Sequence, residues 1–253
     1  MKLPRSRLRK PSFTANKKSL ILVGVRQNIA DVKQIAQRTN YRIIGILDKY
    51  YYGNTAEVSG IPIIGSEDWL LDDSNEQAQQ WKKQCGFFMS SWWDGRQHTL
   101  HTAGLDNEQV RKDRIAVLDN SGVNVISLIH PFADIRKENV NIGKGVMINA
   151  YVGIADNVTI GDYSVLDYQS RITAYTTIKR NVIIGGSSLT ANAIIEDNVR
   201  VGVNCTIVAT KKDFSPLVIG QGSIIHIASV VTDDVPAGHI YTRHERMLRK
   251  FKQ

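Results

Sequence analysis

Large aliphatic residues recur every sixth position through the second half of the chain. They are Ile142, Ile148, Ile154, Ile160, Leu166, Ile172, Ile178 and Ile184, and then, after one residue is lost, Leu189, Ile195, Val201 and Ile207. The pattern breaks at KKDFSP (211–216) and returns at Ile219, Ile225 and Val231. The residue four positions after each early start, from Val146 to Ser188, is small or β-branched. A six-residue period predicts a parallel β-helix, in which three units make one coil of about 18 residues and the large residue points inward.

The first half of the chain alternates short apolar runs with segments of helical period. We predict strands at SLILVGV (19–25), YRIIGILD (41–48), IPIIG (61–65), GFFMSS (86–91) and VNVISLI (123–129). Between them, we predict helices at 29–38 and 107–122 and a helix start at SEDWL. Ile29, Val32, Ile35 and Ala36 share one face of the first helix. Alternating strands and helices favour a parallel, doubly wound α/β sheet.

The phosphate loop that a dinucleotide-binding sheet needs is only weakly present. Gly24 lies at the end of the first predicted strand, but VRQN comes next in place of G-x-G-x-x-G, so we do not expect a redox dinucleotide. Asp48 ends the second strand, where it could bind a ribose or a base, or form the strand-end turn. We take Gly24 and Asp48 as candidate substrate-binding residues.

Composition predicts where the protein is located, and the charges are concentrated at two basic ends of the chain. The chain has 253 residues, 42% of them hydrophobic, with no long apolar run or N-terminal signal, so we expect a cytoplasmic protein without a membrane span. Residues 1–18 carry seven Lys or Arg and no acid, which predicts a disordered basic arm. Cys85 and Cys205 fit no metal or redox spacing, and Cys205 falls at an inward position of the repeat.

Several repeat segments resemble the hexapeptide-repeat acyltransferases, namely IHPFADI, IGKGVMI, IADNVTIGDYSVL, IIEDNVRVGVNCTI and IGQGSIIHIASVVTDDVPAG. The chain is most similar to the sialic-acid O-acetyltransferase type, which includes nucleotide-aminosugar N-acetyltransferases. The resemblance covers roughly residues 19–240. It implies an α/β, Rossmann-like N-terminal domain followed by a left-handed parallel β-helix.

The resemblance also implies a division of the chain and a set of ligands. Residues 1–18 would be the basic arm, 19–128 the Rossmann-like nucleotide-sugar-binding domain, 129–236 the β-helix, and 237–253 a basic tail or helix. The implied assembly is a homotrimer, with acetyl-CoA as co-substrate in the cleft between neighbouring β-helices. A nucleotide sugar would lie near the N-terminal domain, and no metal is expected. Nucleic-acid binding through the basic arm is the weakest alternative.

The catalytic base of that family has no counterpart here. The family's His-Asp pair would fall on Ala174 and Tyr175, and alanine cannot accept a proton, while an ordinary tyrosine has a pKa near 10. Three explanations stay open: the reaction needs no strong base, another side chain replaces the histidine, or catalysis is lost. The candidate replacements are Tyr175, Asp167, Tyr168, His130 and His226.

Other candidates concern the cofactor and one insertion. CoA could approach the backbone at four glycines, Gly185, Gly186, Gly202 and Gly220. The first two could also offer an N–H to the thioester carbonyl. Tight corners alone would explain all four glycines equally well. Arg249 could pair with the phosphates of CoA, although the tail could instead form an amphipathic helix. In the insertion 90–106, His98 and His101 would need a third ligand to bind metal, and Trp92 and Trp93 could serve a subunit contact or stack on a base.

The sequence therefore predicts an acyl-CoA-dependent acetyltransferase, N- or O-, acting on a nucleotide-linked sugar in surface-glycan biosynthesis without the usual histidine base. The alternative is a catalytically inactive hexapeptide-repeat protein that keeps nucleotide-sugar binding or a scaffolding role.

Overall fold

The N-terminal part of the chain is a five-stranded sheet with three α-helices. The computed structural model describes residues 17–24, 29–90, 104–208, 211, 213–242 and 249–250. The elements in order are β1 (Lys18–Val23), α1 (Ile29–Arg38), β2 (Tyr41–Leu47), β3 (Glu57–Val58), β4 (Ile61–Gly65), a 3₁₀ helix (Glu67–Leu71), α2 (Glu76–Gln84), β5 (Gly86–Met89) and α3 (Gly104–Asn120). The sheet order is β3-β4-β2-β1-β5, and only β3 is antiparallel to its neighbour.

Local sequence explains most of these elements. The central strand β1 is buried on both faces over Leu20–Val23, as its unbroken apolar run predicts. The predicted apolar face of α1 is confirmed, since Ile29, Val32, Ile35 and Ala36 are all buried. The predicted helix start at SEDWL is confirmed, and the helix is a 3₁₀ helix. The Ser66 side chain caps its first turn by accepting the backbone N–H of Asp68.

Three features differ from the sequence predictions. Helix α2 was not expected, because EQAQQWKKQ buries only Ala78, and the two-residue strand β3 was not expected either. The predicted strand 123–129 is wrong as one strand of this sheet: Val125 makes an isolated bridge to Phe87, and the chain then leaves the sheet. Ser127 directs this departure, because its hydroxyl donates to the carbonyl of Gly143 at 2.8 Å and accepts the N–H of Val146 at 3.0 Å.

The second part is the predicted parallel β-helix, with three faces of short stacked strands. The first face holds β6 (Leu128–Ile129), β9 (Met147–Ile148), β12 (Val165–Leu166), β15 (Ile183–Ile184), β18 (Arg200–Val201), β21 (Ile224–Ile225) and β23 (His239–Tyr241). The second holds β7 (Asp134–Ile135), β10 (Gly153–Ile154), β13 (Arg171–Ile172), β16 (Ser188–Leu189), β19 (Thr206–Ile207) and β22 (Val230–Val231). The third holds β8 (Asn141–Ile142), β11 (Thr159–Ile160), β14 (Thr177–Ile178), β17 (Ala193–Ile195) and β20 (Leu217–Ile219).

The predicted aliphatic positions fill the interior of the prism. Residues from Ile148 to Val231 at the six-residue spacing form one buried cluster, which also contains Cys205 as predicted. The series of small or β-branched residues departs from its spacing at its last member, because Ser187, not Ser188, is buried at the corner. The lost residue shortens that turn, and the Ser187 hydroxyl donates to the carbonyl of Gly202 at 2.7 Å and accepts the N–H of Cys205 at 2.9 Å.

The corners of the β-helix require a left-handed backbone conformation at one residue per turn. Positive φ angles occur at Asn139, Gly145, Tyr151, Asn157, Tyr163, Gln169, Tyr175, Asn181, Asn192, Asn198 and Asn204. Asparagine and glycine adopt this conformation at low cost, which explains their frequency. Tyrosine does not, and Tyr163 is compensated by its buried ring and by its hydroxyl bond to Asp119 at 2.9 Å.

The two parts share a hydrophobic core. The outward residues of the first face, Met147, Val165 and Ile183, pack in one cluster with Leu20 and Leu22 of β1 and the apolar face of α1. The predicted boundary at 128/129 falls inside β6. Leu128 joins this shared cluster, whereas Ile129 packs against the interior of the prism.

The C-terminal segment ends in strands where it is described. β24 (Arg249–Lys250) pairs antiparallel with β23, so a continuous amphipathic helix beginning at Ile240 is not formed. Among the described residues, no helix is long and apolar enough to cross a membrane.

Candidate functional site

One corner of the β-helix gathers five of the predicted site residues into a column. The first residue after each strand of the first face from β6 to β21 lies there: His130, Asn149, Asp167, Gly185, Gly202 and His226. Each donates its backbone N–H to the last carbonyl of the neighbouring strand on the next coil, at 2.8–3.0 Å; His130, for example, donates to Ile148. Successive members are therefore about 4.8 Å apart, the spacing of neighbouring strands. We call this set the first-corner column.

Asp167 is the carboxylate of the column. Its Oδ1 accepts hydrogen bonds from Nδ2 of Asn149 and from the backbone N–H of Tyr168, both at 2.8 Å. Its Oδ2 makes no hydrogen bond to any described residue. Burial raises the pKa of Asp167, the two hydrogen bonds lower it, and the negative charge of Asp31 raises it, with a net shift upward. A half-buried carboxylate with one open oxygen and a raised pKa is suited to accept a proton.

Asn149 stands one coil before Asp167 and is fully buried. Its Nδ2 must face Asp167, because only the amide nitrogen can donate to a carboxylate. Its Oδ1 is then left buried without a hydrogen-bond partner. Buried acceptors without partners are rare in folded proteins, which makes this atom a feature to explain.

His130 lies at the start of the column and is buried. Its Nδ1 accepts the backbone N–H of Phe132 at 3.1 Å, so the neutral ring carries its proton on Nε2. Burial, together with the positive charge of Arg38, lowers the pKa of His130. The histidine thus shapes its turn as an uncharged ring.

Helix α1 covers this corner. The Tyr168 hydroxyl donates to Oδ1 of Asp31 at 2.6 Å, and the guanidinium of Arg38 lies 5.4 Å from the ring centroid of Phe132. Burial and the bond to Asp31 raise the pKa of Tyr168, which makes it a weaker candidate for a base at neutral pH than an ordinary tyrosine.

Tyr175 lies at a different corner, between the second and third faces, together with Ala174. Its backbone has φ 58°, and its side chain is 66% exposed. The structure does not bring Tyr175 into the first-corner column, and its catalytic role stays a prediction.

The predicted cofactor glycines are at positions where neighbouring coils approach closely. A Cβ on Gly202 would lie 2.8 Å from the nitrogen of Ile227, and one on Gly186 would lie 2.6 Å from the carbonyl oxygen of Tyr168. Gly220 belongs to the corner between the third and first faces, where a Cβ would lie 2.8 Å from Cα of Ala237. Packing between coils therefore accounts for these three glycines, and CoA binding stays a prediction for each.

Gly185 and Gly186 were both predicted as N–H donors to the thioester, and they differ in whether that N–H is already hydrogen-bonded. The N–H of Gly185 donates to the carbonyl of Val201 at 2.9 Å and is not open to a thioester, which corrects that expectation. The N–H of Gly186 makes no hydrogen bond to the described residues. His226 is half-buried. Its backbone carbonyl accepts a hydrogen bond from Sγ of Cys205 at 3.0 Å.

The N-terminal sheet has a second cluster at the carboxyl ends of its parallel strands. Arg114 of α3 donates to Oδ2 of Asp48 at 2.8 Å and to Oε1 of Glu67 at 2.9 Å, and all three side chains are buried. A Cβ on Gly24 would lie 2.8 Å from Cζ of Arg114, so the glycine makes room for the guanidinium. The carboxylate of Asp48 therefore points to Arg114, and substrate binding by Asp48 and Gly24 stays a prediction.

A small cavity of about 10 Å³, the size that one water molecule needs, lies beside this cluster. Besides Glu67 and Arg114, it is lined by Lys49, Tyr50, Val110, Asp113 and Val117. The carboxyl edge of a parallel sheet is where open α/β folds place their ligands. The cavity combines one exposed aromatic ring, two valines and charged groups of both signs.

Some predicted residues cannot be placed. Trp92, Trp93, His98 and His101 lie outside the described residues. Arg249 lies in β24, and its pairing with CoA phosphates stays a prediction. No cluster of three or more His, Cys, Asp or Glu side chains that could hold a metal occurs within the described part of the chain.

Sequence comparison finds that part of the repeat is similar to known transferases. Residues 139–174 match the family model described as bacterial transferase hexapeptide (six repeats). The bifunctional protein GlmU of Thermodesulfovibrio yellowstonii is 35% identical over 139 residues, covering 52% of this chain and 28% of the relative. GlmU of Exiguobacterium sibiricum is 28% identical over 145 residues, covering 54% of this chain and 30% of the relative. The chain thus spans less than a third of these relatives.

Structural comparison covers both parts of the chain. A histidine-to-alanine variant of GDP-perosamine N-acetyl transferase from Caulobacter crescentus, in complex with CoA and GDP-perosamine, has a TM-score of 0.69 at 18% identity, covering 88% of this chain and 92% of that one. This chain has the fold of that transferase. The acetyltransferase domain of PglB from Neisseria gonorrhoeae, with acetyl coenzyme A, has a TM-score of 0.69 at 19% identity, covering 88% and 95%. WeeI from Acinetobacter baumannii has a TM-score of 0.67 at 19% identity, covering 92% and 99%.

Sequence reasoning missed Asn149, Glu67 and Arg114. Asn149 was detectable, because it stands 18 residues before Asp167 and shares its place in the coil. Arg114 gave no signal, because an arginine in a helix is usually on the surface.

Proposed function

We propose that this protein is an acetyl-CoA-dependent acetyltransferase that acts on an amino or hydroxyl group of a nucleotide-linked sugar in surface-glycan biosynthesis. The shared fold with sugar N-acetyltransferases and the hexapeptide match at 139–174 support the reaction class. The same likeness supports a left-handed β-helix and a Rossmann-like N-terminal domain. We further propose a homotrimer with CoA between neighbouring β-helices. Our proposed position for the nucleotide end of the acceptor is the carboxyl edge of the N-terminal sheet, where open α/β folds bind their ligands.

The observation that carries the proposal is the open Oδ2 of Asp167, on a carboxyl whose pKa is raised. Of the three explanations for the missing histidine, this geometry favours a substitute base. His130 is an uncharged ring whose Nδ1 is occupied, and the hydroxyl of Tyr168 is bound to Asp31. Asp167 is the carboxylate of the first-corner column, and its Oδ2 makes no hydrogen bond to the described residues. The catalytic role of His226 stays a prediction.

The chemistry follows from these groups. The acceptor nitrogen or oxygen attacks the thioester carbonyl carbon, Asp167 takes the proton that the acceptor loses, and a tetrahedral oxyanion forms. The oxyanion collapses, the C–S bond breaks, and CoA leaves as a thiolate that takes up a proton. The free N–H of Gly186 is our proposed oxyanion donor. CoA supplies the acyl group; the chain supplies alignment and proton transfer.

The test is thiol release from acetyl-CoA with a panel of nucleotide sugars that carry free amino or hydroxyl groups. Asp167→Asn keeps the shape and should lower kcat by about 10²–10⁴, the usual contribution of a general base. Tyr175→Phe is the matched control and should change the rate by less than about tenfold. A large loss for Tyr175→Phe with little loss for Asp167→Asn would overturn this assignment.

A second candidate is a non-catalytic binding or scaffolding protein with the same fold. One observation favours it: Arg114 fills the sheet edge where a ligand would bind. The expectation that Ala174 stands in place of the family's histidine agrees with it. Binding of acetyl-CoA without thiol release for any acceptor in the panel would support this candidate.

A further inference from the structure

Tyr168 connects helix α1 of the N-terminal part to the carboxylate of the first-corner column. Its hydroxyl donates to Oδ1 of Asp31 at 2.6 Å, and its backbone N–H donates to Oδ1 of Asp167 at 2.8 Å. A second acceptor on the helix, Oε1 of Gln34, lies 3.5 Å from the same hydroxyl. Two carboxylates from different parts of the chain therefore hold the two ends of one tyrosine.

The helix that carries Asp31 is packed firmly against the β-helix. Val32 and Ile35 of α1 are buried in one apolar cluster with Met147 and Val165 of the first face. Burial and the bond to Asp31 raise the pKa of Tyr168, so its hydroxyl keeps its proton and stays a donor at neutral pH. The link from α1 to the corner is thus present wherever the carboxylates are charged.

Asp31 brings a negative charge that no nearby cation neutralises. Neither Asp31 nor Asp167 forms a salt bridge in the described part of the chain. The two cations of α1 are directed elsewhere: Nζ of Lys33 donates to the carbonyl of Ser59 at 2.6 Å, and the guanidinium of Arg38 lies over an aromatic ring of the β-helix. The charge of Asp31 therefore acts on Asp167 without a counter-ion from this helix.

This charge acts on Asp167 in a known direction. A negative neighbour favours the protonated form of a carboxyl, so Asp31 raises the pKa of Asp167. The other titratable side chains of the corner are His130, Tyr168 and His226, of which Tyr168 contacts Asp167 through its backbone. Removing the charge of Asp31 should therefore lower the pKa of Asp167.

We propose that Asp31 is a positioning residue of the acetyl transfer: by accepting the Tyr168 hydroxyl it fixes the segment that presents Asp167, and its charge favours transfer of the acceptor's proton to that carboxylate. The inference rests on the proposed function and deepens it, because the N-terminal part then serves proton transfer as well as acceptor binding. Asp31 lies in the first turn of α1, directly after β1, whose carboxyl end belongs to the proposed nucleotide position.

Three variants of the full chain separate the hydrogen bond from the charge. Asp31→Asn keeps an acceptor for the tyrosine hydroxyl and removes the charge, whereas Tyr168→Phe keeps the charge and removes the hydrogen bond. Asp31→Ala removes both. Gln34→Ala is the matched control, because it alters an uncharged neighbour of the same hydroxyl.

Two measurements are made on each variant. The Asp167 carboxyl is titrated by ¹³C NMR in the free protein, with Asp167→Asn to assign its signal. Thiol release from acetyl-CoA is followed against pH, with an acceptor from the panel that the unaltered protein turns over, and kcat and KM are determined separately.

For Asp31→Asn we expect the NMR titration of Asp167 and the acid limb of kcat/KM to move downward together. Its kcat above the limb should fall about two- to fivefold, because a less basic carboxylate takes a proton less effectively. Tyr168→Phe should lower kcat about tenfold or more through loss of alignment, with KM within about twofold and no downward titration. Asp31→Ala should show both effects, and Gln34→Ala neither.

The inference and the proposed function can fail separately. An unmoved titration in Asp31→Asn would overturn the inference and leave the proposed function standing. So would a kcat for Asp31→Ala and Tyr168→Phe within about twofold of the unaltered protein, because the tyrosine would then hold nothing that the reaction needs. Absence of turnover by the unaltered protein with every acceptor would overturn the proposed function, and the inference with it.

Discussion

Replacing Arg114 by methionine should strongly destabilise the chain, because it removes the buried cation that pairs with Asp48 and Glu67. Arg114 is 3% exposed, and the side chains of its two partners, Asp48 and Glu67, are each 1% exposed. Methionine fills similar space but leaves two buried carboxylates without a counter-charge. Breaking a buried ion pair by removing one partner costs about 3–5 kcal/mol. At roughly 2–4 °C per kcal/mol for a chain of this size, the melting temperature should fall by about 6–20 °C.

Arg180 is the matched control for this prediction. It also pairs with two carboxylates, Asp119 and Asp162, but its side chain is 38% exposed and reaches solvent. Arg180→Met should cost no more than about 1 kcal/mol. Adding Asp48→Asn and Glu67→Gln to Arg114→Met should restore part of the loss, because the buried charges are then gone.

The assay is urea unfolding followed by circular dichroism, at one protein concentration because assembly would otherwise shift the midpoint. A cost for Arg114→Met no larger than that for Arg180→Met would refute the reasoning. So would a triple variant less stable than Arg114→Met alone, because the uncompensated carboxylates could not then be the cause.

Four further outcomes are expected from equilibrium unfolding. Ile178→Ala should cost about 2–5 kcal/mol, because its fully buried side chain lies inside the prism, and a cost below 1 kcal/mol would contradict that packing. Gly202→Ala should cost about 1–3 kcal/mol through overlap with the next coil, whereas Gly153→Ala, whose Cβ would meet open space, should be nearly neutral; equal costs would contradict the coil spacing. Tyr175→Asn should leave stability unchanged or raise it by up to about 1 kcal/mol, since asparagine tolerates its positive φ; a clear loss would show that the exposed ring is stabilising. Asp167→Asn should be more stable than the unaltered protein at pH 8 but not at pH 3: a folded-state pKa above the ordinary 3.8 means that stability is lost as pH rises through it, and a pH-independent difference would contradict the raised pKa.

The β-helix was predictable because its period is a physical constraint on every coil. Each inward position must be apolar, so the spacing from Ile142 to Val231 is visible without any structure. The hand of the helix was not, because the same spacing fits either hand. The register slip at Ser187 was missed because the deleted residue was placed after Ser188 and not before it.

The α/β part was harder to predict, because its elements depend on partners elsewhere in the chain. Strand 123–129 looked like a sheet strand from its alternating apolar residues, but Ser127 bonds to the first coil and draws the chain away. Helix α2 carries too few apolar residues to show a helical period.

The candidate site was half predictable. One coil of 18 residues separates Asn149 from Asp167 and Asp167 from Gly185, and five of the six members were named from the sequence. What spacing cannot show is which side chains are already engaged. The bonds of Gly185 to Val201, of Tyr168 to Asp31 and of Asp48 to Arg114 are tertiary, and they decide which candidates stay open.

The central claim is that this chain binds and uses acetyl-CoA, and calorimetry of the purified protein with acetyl-CoA tests it most directly. Free CoA and a panel of nucleotide sugars should be titrated alongside, and thiol release should be measured on the same preparation. Micromolar binding of acetyl-CoA, followed by thiol release with a nucleotide-linked amino sugar, is the predicted result. Binding of nucleotide sugars with no detectable binding of acetyl-CoA would contradict the account and leave a protein that keeps the fold without the transfer.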